Sequence, residues 1–235
     1  MTIRQDIPTS ATTARLASMS SMLAFCLLAV GMTVAASAQT RTVRVELTPL
    51  EETANLAWTE LATEGSEDVR SPRLPDARSV SYHYDAQSDQ LWFRLGLQEA
   101  PREDFFGINL AIDSDSDQSN GLNWWGINQG FRFDRLVTVY VNQAGGAYQG
   151  SVGIGDVAGI MQGRMDNLAY GNIRISLDRA GKAILIGMKG RDLDDDLSMN
   201  LIATVGSSMI PNDDLPDTGK LELVLGKNTK ADLTE

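Results

Sequence analysis

The chain has 235 residues and a net charge of −11, with one histidine and one cysteine. An acidic chain offers phosphate backbones no basic face, which excludes nucleic acid as a partner. A lone histidine and a lone cysteine leave zinc chemistry without its usual ligands.

The chain opens with Arg4, Asp6 and Arg15 in a polar stretch, followed by an apolar run from Met22 to Ala36. Ala36-Ser37-Ala38 then supplies small residues at a cleavage position. This order predicts a secretory signal peptide over 1–38, too short for a membrane span, and a periplasmic or extracellular product. Phe25 stands before Cys26 where a lipoprotein needs a small residue, and there is no twin-arginine pair. Taking two arginines and one aspartate from 20 basic and 31 acidic side chains leaves a net charge of −12 over 39–235. The cysteine leaves with the leader, so neither disulfides nor thiol chemistry are expected. No later apolar stretch is long enough to form a transmembrane segment.

Beyond Gln39 the pattern is short runs of period two divided by Gly, Asn, Asp and Pro, the mark of antiparallel β-structure. A first strand is predicted over 41–47, and 53–62 reads as either helix or strand around Trp58. Next comes a hairpin turning at 86–89, which pairs Tyr84 with Leu91, Tyr82 with Phe93 and Val80 with Leu95. A one-residue slip would move all six to the wrong face, which fixes the register. Further strands are predicted over 105–112, 131–141 and 147–153. A second hairpin turns at 179–182 and pairs Leu177 with Ile184, Ile175 with Ile186 and Ile173 with Met188, with Gly181 as the permissive residue. Asp192 reads as the cap of a single helical turn. Strands over 199–205 and 220–225 complete the series, and the tail over 226–235 is expected to fray. About ten strands with little helix predict a single all-β domain over 39–225. The expected form is an antiparallel, jelly-roll-like β-sandwich rather than a closed barrel or an α/β fold.

The richest stretch chemically is IDSDSDQSNGLNWWG, 112–126. Asp113, Asp115 and Asp117 alternate and are followed by Asn120-Gly121, so their oxygens can curl round one hard cation such as Ca²⁺. Three clustered carboxylates repel unless a cation lies between them. Gln118 stands where an EF-hand has its sharp-turn glycine, and Trp124 where it has its closing glutamate, so this is no EF-hand. The alternative is a solvated acidic turn. Asn123, Trp124 and Trp125 follow as candidate ligand-binding residues, with at least one of the tryptophans expected in the core. The loop PNDDLPDTG, with Asn212, Asp213, Asp214 and Asp217, reads as turn chemistry that could close over the same end of the sandwich. Asp194, Asp195 and Asp196 read as a solvated turn, GIGDVAG as another turn, and Trp92 as buried under a loop or paired across strands. His83 reads as structural.

Four segments in this order, WFRLGL, FFGINLAIDSDSDQSNG, WWGINQGFRFDRLVTVYV and SMNLIATVGSSMIPNDDLPDTGKLEL, resemble the CBM9-like/DOMON-like β-sandwich group, which includes the family 9 carbohydrate-binding modules. The resemblance spans roughly 53–225. It implies a sugar held between two aromatic side chains beside loops stiffened by calcium. Asp113, Asp115 and Asp117 match the acidic loop, and Trp124 and Trp125 are the nearest aromatic candidates. The two are adjacent here, and neighbours in one strand would face opposite ways. Other members of the group bind haem or have no known ligand.

Catalysis finds little support. There is no G-x-S-x-G elbow. The acids sit in loops rather than facing each other across a cleft as a glycosidase pair does. The expectation is therefore an exported, non-catalytic module that binds a glycan, with Ca²⁺ fixing a loop. The alternatives are a structural or adhesive envelope domain whose partner is an envelope protein, and a haem-binding electron-transfer domain using His83.

Overall fold

A computed structural model describes residues 42–65, 69–71, 73–170, 172–207 and 210–225. The expected leader over 1–38 and the tail over 226–235 lie outside the described residues. Fifteen strands stand among the described residues: β1 Val43–Val45, β2 Thr59–Thr63, β3 Ala77–Asp85, β4 Gln90–Leu97, β5 Phe105–Asp113, β6 Leu122–Asn123, β7 Arg132–Phe133, β8 Arg135–Ala144, β9 Ala147–Asp156, β10 Ala169–Tyr170, β11 Arg174–Asp178, β12 Ala183–Lys189, β13 Ser198–Ser207, β14 Ile210–Leu215 and β15 Leu221–Val224. All the pairings are antiparallel. One sheet runs β1-β9-β8-β5-β13-β14, with β10 on β9 and β15 on β13, and the other runs β11-β12-β4-β3-β2. β6 and β7 form a two-stranded ribbon of their own.

Alternation builds the core. Phe106, Ile108, Leu110 and Ile112 of β5, with Val137, Val139 and Val141 of β8 and Leu201, Ala203 and Val205 of β13, point inward. They meet Val80, Leu91, Phe93, Leu95, Ile184 and Ile186 of the five-stranded sheet in one apolar cluster, which makes the pair of sheets a β-sandwich. The first hairpin pairs as its pattern dictates, Tyr84 to Leu91, Tyr82 to Phe93 and Val80 to Leu95. The second pairs Leu177 with Ile184 and Ile175 with Ile186, while Ile173 lies just before β11 and packs against the core.

Both outer faces are also partly covered. On the five-stranded sheet, Trp92 packs with Ala183 and Leu185 under Leu50, Leu56 and Trp58. The 53–62 segment therefore resolves into a loop leading to β2, preceded by a 3₁₀ turn over Leu50–Glu52. His83 donates from Nδ1 to the Ala57 carbonyl at 2.9 Å, and its ring meets Trp58 edge-on. The Arg174 guanidinium sits 5.2 Å above the Trp92 ring, within cation–π range.

Four local readings are corrected. The run 131–141 breaks at Asp134, whose amide reaches the Ile112 carbonyl while its carboxylate accepts from the Ser114 amide and hydroxyl. GIGDVAG is not a turn: β9 runs to Asp156, which caps a short helix α1, Val157–Met161, by accepting from the Gly159 amide at 2.7 Å. Asp192 ends a 3₁₀ turn over Gly190–Asp192, whose cap is Lys189. The Pro-flanked PNDDL segment is largely strand β14, paired to β13 across a bulge at Val205/Gly206.

Candidate binding site at one end of the sandwich

β5 ends at Asp113, which is 2% exposed and lies opposite Asn200 of β13. Its Oδ2 accepts from the Asn200 side-chain amide at 2.8 Å and from Gln118 Nε2 at 2.7 Å. Gln118 also donates to the Arg132 carbonyl at 2.8 Å, and its Oε1 accepts from the Arg132 amide at 2.9 Å. One side-chain amide thus imitates a strand neighbour and straps the acidic loop to β7.

Asp115, Asp117 and Asn120 are exposed on the outside of this loop. Asp115 Oδ1 accepts from the Asp117 amide at 3.0 Å, and Asp117 Oδ1 from the Ser119 amide at 2.9 Å, two successive Asx turns. Asn120 Nδ2 bridges Asp115 and Asp117 at 2.9 and 3.2 Å. Ser116 takes a left-handed φ of 58° to make the bend. The Asn120 amide, then the Asp117 amide, hold the Asp115 carboxyl below the usual carboxylate range, and the Ser119 hydroxyl and amide do the same for Asp117. Among the described residues, no three acidic, histidine or cysteine side chains converge as a ready-made metal cage.

The tryptophans divide. Trp124 is 2% exposed, and its indole N–H donates to Asp214 Oδ2 at 2.7 Å. It anchors a second apolar cluster with Ala111, Phe131, Phe133, Leu136 and Ile202 on the outer face of the eight-stranded sheet. In this position it offers no face to a ligand, so of the two expected aromatic candidates only Trp125 has surface to give. Trp125 is half-buried, with its ring centroid 4.4 Å from that of Trp124 and 5.6 Å from that of Phe133. Adjacent residues share a side because both follow the end of β6 and lie outside any strand. A Cβ at Gly126 would collide with the Trp124 indole nitrogen and the Asp214 carboxylate, so the chain needs glycine there. Asn123 is exposed and pairs with Arg132 in the β6–β7 ribbon.

Asn212, Asp213 and Asp214, expected as turn chemistry, and Asn128, which the sequence does not single out, join these parts. Asp214 is wholly buried and accepts three hydrogen bonds, from Trp124, from the Asn128 amide at 2.9 Å and from the Thr204 hydroxyl at 2.7 Å. Its neighbours in β14 tie down a third segment. Asp213 accepts from the Ala77 amide, while Asn212 accepts from the Ser71 amide and donates to the Pro75 carbonyl. Asn128 donates from its side chain to the carbonyls of Pro216 and Gly219, both at 2.9 Å. The 127–131 and 217–220 loops are thereby held as the two walls of a cleft of about 560 Å³, with Gln118 on its rim beside Asp113. The acidic loop and the PNDDLPDTG segment do share one end of the sandwich. Trp124, Trp125 and Asn123 do not line this cleft.

Comparison with models of known protein families gives no match, and no curated protein matches the chain.

Proposed function

We propose that this protein is an exported, non-catalytic binding module for carbohydrate, with the Asp113–Asn120 loop stiffened by Ca²⁺. The observation that carries this reading is the cleft of about 560 Å³ whose two walls are fixed by Asn128 and whose rim is shared, through Gln118, with the acidic loop. Its volume falls within the range of small-molecule sites. Walls held by hydrogen bonds before binding spare a ligand the cost of ordering them.

Calcium enters as a stiffener. Asp113, Asp115 and Asp117 stand on one short loop, and carboxylates gathered this closely would be stabilised by a hard cation among them. Asn120 would turn its carbonyl oxygen to the ion in place of its amide, and Asp117 would follow from the exposed side of the loop. The cation does no chemistry in this reading. The likeness to CBM9-like modules and a jelly-roll strand order belong to the same proposal, as does the leader that would take the chain to the periplasm or beyond. Trp125, half-buried, is the tryptophan of the pair with surface toward which a glycan could extend past the cleft.

A glycan screen run once in calcium and once in EDTA tests this. Binding in calcium that falls in EDTA is expected. A blank screen in both, with an envelope protein recovered in a pull-down, would favour a structural role instead.

A further inference from the structure

We infer that the ligand of the cleft is neutral, the size of one or two sugar rings, and is selected by hydrogen bonds from the 127–131 and 217–220 loops rather than by a tryptophan clamp. This rests on the carbohydrate reading above and deepens it by naming the site and the class of sugar.

The lining supplies the first argument. Gln129 and Thr218 are exposed on the two lining loops, Asp217 is half-buried, and the apolar contribution comes from Ile127 and Phe131. An amide and a hydroxyl provide donors and acceptors together, which is what hydroxyls that both donate and accept require. No tryptophan belongs to the lining, so stacking on a large aromatic face cannot dominate recognition here.

Charge supplies the second. Lys220 is the one cation of the lining, and its Nζ already lies 3.4 Å from Glu222 Oε1. The lining therefore offers no unpaired cation to an anion, on a chain whose net charge is −11. A uronic acid or a sulfated sugar would have to enter against that field and compete with Glu222 for Lys220. A neutral sugar meets no such cost.

Rigidity supplies the third. Both walls are fixed from behind, by Asn128 to Pro216 and Gly219 and by Asp214 to the Asn128 amide. None of these supporting groups is among the exposed side chains assigned to the ligand. Exposed residues can therefore be changed without loosening the walls.

The test is calorimetric titration of the full chain, in calcium, with neutral mono- and disaccharides (glucose, galactose, N-acetylglucosamine, cellobiose, xylobiose) and with glucuronate and galacturonate. At least one neutral sugar is expected to bind, with the uronates about tenfold weaker or silent. Gln129→Ala and Thr218→Ala should each weaken the neutral sugar about fivefold or more, the scale of one lost hydrogen bond, with the melting midpoint unchanged. Trp125→Ala should leave that affinity alone. Uronates binding as tightly as neutral sugars would overturn the charge argument. A neutral sugar whose affinity ignores both cleft variants but falls with Trp125→Ala would overturn the cleft while leaving the carbohydrate reading standing. Silence across the whole panel would overturn both.

Discussion

The hairpin of β3 and β4 and the loop end around Asp113 and Asp214 are built on opposite principles within one sandwich. In the hairpin, Val80, Leu91, Phe93 and Leu95 are buried because alternate residues are apolar and their cross-strand partners are too. Removal of apolar surface from water, at about 25 cal/mol per Å², drives that region and needs no particular geometry beyond the pleat. At the loop end the wholly buried residues include Asn212, Asp213 and Asp214. They are tolerable there only because each carries hydrogen bonds to a distant segment, Asp214 reaching 86 and 90 residues back to Asn128 and Trp124. A deleted side chain in the hairpin costs its own packing and leaves the partners of its neighbours unchanged. A buried carboxylate that gathers three donors organises everything it touches.

The sharpest way to break that contrast is Asp214→Ala. It strands the Trp124 indole N–H, the Asn128 amide and the Thr204 hydroxyl in a buried site, and should cost roughly 3–5 kcal/mol in urea unfolding. Leu95→Ala in the hairpin core should cost a similar 2–5 kcal/mol through the cavity it leaves. An Asp214→Ala loss below about 1 kcal/mol, against an ordinary one for Leu95→Ala, would mean that the buried network organises nothing.

The two tryptophans sharpen it next. Trp124→Phe keeps most of the ring and removes its hydrogen bond to Asp214, so a loss of about 1.5–3 kcal/mol is expected. Trp125→Phe alters a half-buried ring and should stay within about 1 kcal/mol. Equal losses would show that ring packing, not the hydrogen bond to Asp214, sets the stability of this region.

A pair of threonines gives the smallest and most controlled difference. Thr138, Asn109, Thr204 and Asp214 stand in one register row across β8, β5, β13 and β14. Thr204 donates to Asp214, whereas the buried Thr138 hydroxyl has no hydrogen-bonding partner among the described residues. Thr204→Val should cost about 1–2 kcal/mol and Thr138→Val close to nothing, or gain a little, because one change removes a bond and the other a buried polar burden. Denaturant midpoints of the two variants decide it.

The same contrast explains what could be read in the chain. Both hairpin registers were legible because period-two apolar patterns admit one in-phase alignment. The nine-residue β5 was legible for the same reason, as was the burial of Trp92 on the outer face. PNDDL was not, since Asn, Asp and Pro are turn-formers by local preference; it becomes strand by pairing with β13, and its buried polar side chains are satisfied by groups 86 to 141 residues away. The break at Asp134 was hidden because its partner, Ser114, is 20 residues off. The acidic loop was visible as a loop and as a site candidate. Its strap through Gln118, and the assignment of Trp124 to the core and Trp125 to the surface, depend on a chain path that side-chain chemistry alone does not specify. Asn128, the residue that joins the two cleft walls, carries no local signal at all.

Thermal unfolding of the purified protein in millimolar Ca²⁺ and again in EDTA, with metal analysis of the same samples, bears most directly on the cation-stiffened loop. A ligand that binds only the folded state at about a hundred times its dissociation constant adds about 2.7 kcal/mol. For a domain of this size that is a rise in midpoint of about 5–10 °C. The expected result is such a rise in calcium, abolished by Asp115→Asn with Asp117→Asn. Identical midpoints for a sample shown to be free of metal would contradict it, and would leave the three aspartates as a turn held by its own hydrogen bonds.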